Sequence, residues 1–401
     1  MRKADPIQLL VLGQTPPPFV GQMLSIESVV KAKYEDIQIH HVRMNYSQTI
    51  GDIGTFKIRK LFHLLRVILE SVYCICRYRI DVIYYPPGAQ TIPLIRDIAT
   101  LLPLRVFRRK LILVFHASGL SERVPMWKAP FRWLFRLAFS QPDAAVQKSL
   151  LNPPDGEYVN ARRIYCMPNG VADEAAKYLV RKAESAVPVI LFVGIVRPDK
   201  GVDVLLEAAR ILKTGGHRFL VRIVGEFACE EYYQKVVREI DETGLNDCVK
   251  LCGPKVDHEK WKLFQSADIF CFPSHYASES FGNVLLEAMM FQLPVVATRW
   301  RGIPDIVVEN ETGFLVPIKN AEAVATKLGH LLVDKGLRER LGKKGRDRYL
   351  EKFTVEQYLA NTREVVLAVV GQDSKSTITE DLVLQTDERP TRFMKSPVVK
   401  N

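Results

Sequence analysis

The sequence predicts an α/β protein of two Rossmann-like, doubly wound parallel-sheet domains facing each other across a cleft. Three observations carry this. Short runs of buried-strand character alternate with helical periodicity along most of the 401 residues. The alternation lapses at a polar, strand-poor stretch around Ala172–Val187 and starts afresh at Pro188. The length also exceeds what one hydrophobic core usually serves.

The first series opens with Ile7-Gln-Leu-Leu-Val-Leu-Gly13, an apolar run ending in the loop Thr15-Pro-Pro-Pro-Phe-Val-Gly21. A helix follows, with Met23, Leu24, Ile26, Val29 and Val30 on one side. Alternating Ile37–Val42 reads as a strand, and about Phe56–Tyr78 as a long helix. Further strands are read at Asp81–Tyr85, Lys110–Phe115, Asp143–Val146 and Arg163–Met167. The second series has strands at Pro188–Gly194, Val221–Gly225, Val249–Gly253, Asp268–Phe272 and Pro294–Ala297. Helices lie between them, at Val202–Leu212 and on to about Thr243. A charged helix spans Gly336–Lys352. Thr354 with Gln357 three residues on forms a capping box for the helix Val355–Val370. The expected units are an N-terminal domain, 1–180, and a C-terminal domain, 181–354. The helix of about 355–370 packs back on the first domain, and 371–401 is a disordered tail.

Charge is unevenly spread. Residues 1–180 carry 24 Lys+Arg against 14 Asp+Glu, a net of +10, and residues 181–401 carry 32 against 31, a net of +1. The most apolar stretch, Leu61–Cys76, is broken by Arg66 and Glu70, too short for a span of about 18–20 residues. Met1-Arg-Lys-Ala-Asp-Pro6 leads straight into a strand, without signal-peptide character. Seven cysteines, mostly in apolar elements, suit reduced thiols in the cytoplasm. Cys248 and Cys252 bracket a strand with no second Cys/His pair, so no metal site is expected.

Candidate chemistry concentrates in Glu279-Ser-Phe-Gly-Asn-Val-Leu-Leu-Glu287. It follows the strand Asp268–Phe272 and opens an apolar helix, so Glu279 is expected at the mouth of a cleft, beyond a strand's carboxyl end. Gly282, Asn283 and Val284 would form the helix's first turn, whose free N–H groups favour a phosphate. Glu287 falls about one turn further in. An anion seat between two hydroxyl-binding carboxylates suits a sugar nucleotide. Arg197-Pro-Asp-Lys200-Gly201 closes the strand Pro188–Gly194 and brings two cations to the same cleft. Fixed cations neutralise a leaving diphosphate without a metal, and the chain has no D-x-D pair to hold Mg²⁺.

These residues, in this order, resemble the retaining GT-B glycosyltransferases of family 4. The matching features are the loop ending at Gly21, His116 after a strand, Pro168-Asn-Gly-Val171 and Phe192-Val-Gly194 with Lys200-Gly201. Ile223-Val-Gly225, Ala267-Asp268, Phe272-Pro-Ser274, the E-x₇-E element, Gly302-Ile-Pro304 and Thr312-Gly-Phe-Leu315 follow. The likeness covers about residues 7–370 and is stronger in the second domain.

The resemblance implies a GT-B fold, an acceptor-binding first domain and a donor-binding second domain. By position, Glu279 faces the donor sugar near the reacting carbon and Glu287 the ribose hydroxyls. Lys200 binds phosphate, Gly282, Asn283 and Val284 hold the diphosphate, and Gly21 approaches it from the other domain. Phe281 sits among the donor-binding residues. His116 matches a histidine near the sugar, and as a lone histidine it also fits a structural role. Two departures stand out. Many members have Arg where this chain has Ile195, with Arg197 two residues on as the replacement. The first loop has three prolines and one glycine where paired glycines are common.

The implied reaction is glycosyl transfer from a nucleotide sugar to an acceptor hydroxyl with retained configuration. UDP is favoured over GDP by family frequency. No cofactor or metal is expected. Glu287 on ribose leaves no carboxylate opposite the anomeric carbon, unlike retaining glycosidases, whose pair stands about 5–5.5 Å apart. Attack on the leaving-group side then has the phosphate oxygen take the acceptor's proton. The acceptor would be a glycan or lipid-linked molecule, in bacterial surface-polysaccharide or lipid-linked glycan synthesis.

Arg105, Arg108, Arg109 and Lys110 form one basic cluster in the first domain. Arg123, Lys128, Arg132 and Arg136 form another, interleaved with Trp127, Phe131, Trp133, Leu134 and Phe135. The second suits docking on an anionic inner membrane face, and equally an ordinary helix burying its aromatic side. Other readings are a GT-B sugar-nucleotide epimerase, a partner protein without catalysis, and a basic nucleic-acid or membrane binder. No recognition helix or aromatic-bearing sheet supports nucleic acid, and the E-x₇-E setting argues against an epimerase.

Overall fold

The structure is a computed structural model describing residues 5–17, 21–46, 58–178 and 187–371. The expected tail from 372 onward lies outside the described residues. The first sheet holds β1 (Ile7–Gly13), β2 (Ile37–Arg43), β3 (Val82–Tyr85), β4 (Lys110–Val114), β5 (Ala144–Gln147) and β6 (Ile164–Cys166). Its helices are α1 (Gly21–Lys31), α2 (Ile58–Tyr78), α3 (Thr91–Arg105), α4 (Leu120–Arg123), α5 (Ala129–Phe139) and α6 (Asp155–Tyr158).

The second sheet holds β7 (Val189–Val193), β8 (Leu220–Val224), β9 (Val249–Gly253), β10 (Ile269–Phe272), β11 (Val295–Thr298) and β12 (Gly313–Val316). Around it lie α7 (Val202–Thr214), α8 (Glu230–Glu242), α9 (Asp257–Ser266), α10 (Asn283–Met290), α11 (Ile303–Ile306), α12 (Ala321–Val333) and α13 (Lys335–Lys352). Last comes α14 (Val355–Val370). Among the described residues no helix is long and apolar enough to cross a membrane.

Both sheets are parallel, in the orders β2-β1-β3-β4-β5-β6 and β12-β11-β10-β7-β8-β9. The first reverses direction between β1 and β3, the second between β7 and β10. Such a switch point opens a crevice at the strands' carboxyl ends. Strand residues serve opposite faces in turn: Leu10 and Leu12 of β1 join the core under α2, α3 and α5, while Ile7, Leu9 and Val11 join the core on the other face. That double burial explains why β1 reads as apolar from Leu9 to Leu12 without alternation.

β12 was not among the strands read from the sequence. It is a four-residue edge strand beside β11 with only three apolar residues, Phe314–Val316, between Gly313 and Pro317.

The chain crosses between the domains twice. The Val171 N–H donates to Phe353 O (3.1 Å), and the Val355 N–H donates to Val171 O (3.1 Å), so the two crossings are bonded to each other. Beyond the second, α14 returns to the first domain. Tyr358, Val365, Val366 and Val369 pack with Val11 and Val146, and Arg363 pairs with Asp36. The Thr354–Gln357 capping box is formed at its start.

Candidate active site

A cleft of about 1900 Å³ lies between the carboxyl edges of the two sheets, lined from both domains. Its second-domain wall is the crevice at the β7/β10 switch point. The loop after β7 brings Arg197 and Lys200, and the loop after β10 brings Glu279. Both loops owe their course to glycines. A Cβ on Gly201, at φ +78°, would lie 2.1 Å from Pro273 O. Gly282 caps α10 at φ +96°, a conformation that costs little only without a side chain.

Lys200 Nζ donates to Glu279 Oε2 at 2.5 Å, and Ser274 Oγ donates to the same oxygen at 3.0 Å. Oε1 accepts no hydrogen bond among the described residues. The Lys200 ammonium also lies over the rings of Phe272 (5.3 Å) and Tyr276 (4.9 Å). Arg197 stacks on Tyr276 from 4.7 Å and forks onto Asp199 at 2.6 and 2.9 Å. It therefore stands at the cleft already engaged, with its own carboxylate partner.

Glu287, on α10, is 4% exposed. Its Oε1 accepts from Lys260 Nζ at 2.7 Å, and its Oε2 is buried without a partner. A carboxylate oxygen in that state calls for a donor, which a hydroxyl could supply. Lys260 lies 4.0 Å over the ring of Trp261. It was missed in the sequence because it sits 27 residues from Glu287, on another helix, with no spacing to connect them.

The first intrahelical bond of α10 runs from the Leu285 N–H to Gly282 O, leaving the N–H groups of Asn283 and Val284 without an intrahelical acceptor. Gly21 opens α1 on the opposite side. Asn283 Nδ2 donates to Gly21 O at 3.2 Å, while Asn283 Oδ1 accepts from Asn169 Nδ2 at 2.9 Å. Two helix N-termini thus meet across the cleft. Phe281 does not join them. It is 1% exposed, with its ring edge-on to Phe353, because a large apolar side chain beside the cap gains more from the core than from the cleft.

His116 lines the cleft from the first domain, 8% exposed. Burial, then the neighbouring Lys148, hold its imidazole well below the usual histidine range, so it is neutral. Nε2 lies 3.5 Å from Tyr84 Oη, and Nδ1 is buried without a partner. The Glu279 segment is clasped by the first domain throughout. Ser118 Oγ donates to Glu279 O (2.8 Å), Asn152 Nδ2 to Ser280 O (2.8 Å) and Ser280 Oγ to His116 O (2.5 Å).

The site thus joins a charged pair, an unfilled carboxylate and two helix N-termini at a topological switch point. Known proteins share both the sequence of this region and the shape of the whole. Residues 180–348 match the family of glycosyl transferases group 1.

Among curated relatives, the chain is 32% identical over 166 residues to the capsular polysaccharide biosynthesis glycosyltransferase CapM of Staphylococcus aureus, 41% of this chain and 42% of that protein. It is 32% identical over 234 residues to the amylovoran biosynthesis glycosyltransferase AmsK of Erwinia amylovora, 56% of each. The chain thus spans about half the length of the curated relatives it matches.

Solved structures extend the likeness to both domains. Sucrose-phosphate synthase from Thermosynechococcus elongatus superposes with a TM-score of 0.70 at 19% identity, over 91% of this chain and 100% of that one. Anabaena Alr3699/HepE in complex with UDP gives 0.69 at 17%, over 90% and 100%. At these identities the likeness is one of fold, and the fold is GT-B.

Proposed function

We propose that the chain moves a sugar from a nucleotide-sugar donor to the hydroxyl of a glycan or lipid-linked acceptor, with retained configuration and without a metal. The observation that carries this reading is Glu287 Oε2, buried and unpartnered beside the open N-terminus of α10. A ribose hydroxyl fills that oxygen while the diphosphate meets the amides of Asn283 and Val284, with Gly21 facing them. Lys200 takes charge on the departing phosphate, and Glu279 orients the sugar. The bond from the anomeric carbon to the phosphate oxygen breaks. The bond to the acceptor oxygen forms on the same face, and the acceptor's proton goes to the leaving phosphate.

UDP is the favoured nucleotide, with GDP as the alternative. The solved HepE complexes with UDP and UDP-glucose support the first. CapM and AmsK, named for capsular polysaccharide and amylovoran biosynthesis, support a polysaccharide pathway. The first domain (1–180, with the helix 355–370) takes the acceptor, and the second (181–354) takes the donor.

Calorimetry with a panel of UDP- and GDP-sugars tests the reading, with Glu287→Ala as the control. We expect one nucleotide series to bind and the variant to lose most of that affinity. Failure of every nucleotide sugar to bind sinks the reading. Interconversion of the donor sugar without any acceptor would make the chain an epimerase instead.

A further inference from the structure

α2 is apolar on two sides. Val67, Ser71 and Ile75 are buried against the first sheet. Away from them stand Ile58, Leu61, Phe62, Leu65, Leu69 and Tyr73, between 46% and 69% exposed. At about 100° per residue, these six fall within an arc of roughly 120°. From Ile58 to Tyr73 the stripe runs for about 22 Å along the helix. Exposed Arg59, Arg66 and Arg77 follow one edge of it.

The neighbouring helices of the same layer continue the pattern. Ile92 and Ile95 of α3 are exposed, as are Phe131, Trp133 and Leu137 of α5. Exposed Lys128, Arg132 and Arg136 lie among the latter. Of the aromatic stretch read from the sequence, Phe135 has gone into the core, while Phe131 and Trp133 remain outside. Sixteen of the twenty large apolar side chains exposed among the described residues belong to the first domain, and the four on the second (Tyr233, Val256, Val333, Leu350) are scattered. Scatter is ordinary, but a contiguous field marks an interface.

The field also runs into the candidate site. Leu61 and Leu64 of α2, with Ile92, Ile95 and Ala99 of α3, line the cleft itself.

We propose that the acceptor is carried on a membrane lipid, and that the outer face of α2, with α3 and α5, rests on an anionic bilayer. The acceptor's polar head enters the cleft between α2 and α3. This rests on the transfer reading of the site and names its acceptor class. The occupant follows from charge. Arginines and lysines rim the apolar field, and residues 1–180 carry a net +10. An anionic lipid surface complements that face, whereas a second copy would set two such surfaces against each other. An apolar stripe with a cationic border is how a helix lies in a bilayer interface without crossing it.

The test is sedimentation of the full chain with vesicles of phosphatidylglycerol and phosphatidylcholine, against phosphatidylcholine alone. UDP and GDP binding are measured in parallel. The wild type should pellet with the anionic vesicles and be released by salt. Leu65→Glu/Leu69→Glu, on the outer face, should weaken vesicle binding by about tenfold or more and leave nucleotide binding unchanged. A wild type that stays in the supernatant at low salt, or a variant that binds vesicles as well as the wild type, overturns the proposal. So does a stable dimer that the same variant dissociates, since α2 would then be a self-association face. A wild type that binds nucleotide but no vesicles is a failure of this inference alone. Absent nucleotide binding with vesicle binding intact is a failure of the transfer reading alone.

Discussion

Lys200 and Glu279 form an ion pair at 2.5 Å, with side chains only 14% and 10% exposed, joining the loop after β7 to the loop after β10. The two loops flank the switch point of the second sheet, so the pair fixes the width of the crevice as well as its charge. Removing one partner leaves the other shielded from water and unpaired. Lys200→Met alone should cost about 3–5 kcal/mol of stability, and Lys200→Met/Glu279→Gln clearly less. Urea denaturation of both variants checks this. Equal losses would mean that solvent already screens the pair.

Glu279→Ala removes the carboxylate proposed to orient the sugar, and transfer with a binding-competent donor should fall by about 10²-fold or more. Nucleotide affinity should change little. A variant that keeps near-full transfer removes Glu279 from the machinery.

Glu287 Oε2 predicts discrimination at the ribose. UDP should bind about 10–100-fold more tightly than 2′,3′-dideoxy-UDP, because the analogue leaves the buried oxygen unpaired. In Glu287→Ala the ratio should collapse towards one. Calorimetry with the two nucleotides reads this directly, and an unchanged ratio would place the ribose elsewhere. Lys260→Met should weaken UDP and lower the ratio in the same direction, since Lys260 holds Glu287 in place.

Lys148 gives a pH dependence. It is wholly buried, 4.9 Å over the ring of Tyr358, and no acceptor meets its Nζ. The titratable groups around it are His116, Cys166 and Tyr358. Burial brings its pKa down from 10.5 to about 7. Between those values the unfolded chain holds a proton that the native chain has shed. Stability from this residue therefore rises with pH across that window, by at most about 1.4 kcal/mol per unit. Below it both states are protonated and the slope vanishes. Lys148→Met should flatten the rise in thermal unfolding curves.

Gly201 and Gly216 share a backbone angle, φ +78° and +79°, in different surroundings. A Cβ meets Pro273 O at 2.1 Å on the first and nothing within 4 Å on the second. Gly216→Ala should cost about 1 kcal/mol, for strain alone. Gly201→Ala should cost at least about twice that, because the backbone of the Pro273 turn must move. Denaturation midpoints for the two variants separate strain from collision.

The fold was legible because buried parallel strands write themselves as unbroken apolar runs. Val189–Val193 and Ile269–Phe272 are visible without a partner. Gly313–Val316 was not, since only three apolar residues stand there between the turn formers Gly313 and Pro317. Of the site, the sequence displays what one segment holds together, such as Glu279, Gly282, Asn283 and Glu287. It hides pairings made across the sheet. Lys260 against Glu287 follows from geometry alone. The resemblance put Phe281 among the donor-binding residues and the aromatic stretch put Phe135 beside Phe131 and Trp133, but which way each turned depended on neighbours far along the chain.

The paired crossings at Val171 and Val355 have a consequence for motion. Two strands of chain bonded to each other form one joint between the domains, and the clasp on the Glu279 segment through Ser118, Asn152 and Ser280 is a separate one. A parting of the domains about the first would break the bonds of the second. Under the proposed function, opening the mouth and loosening the donor's seat would then be one mechanical event.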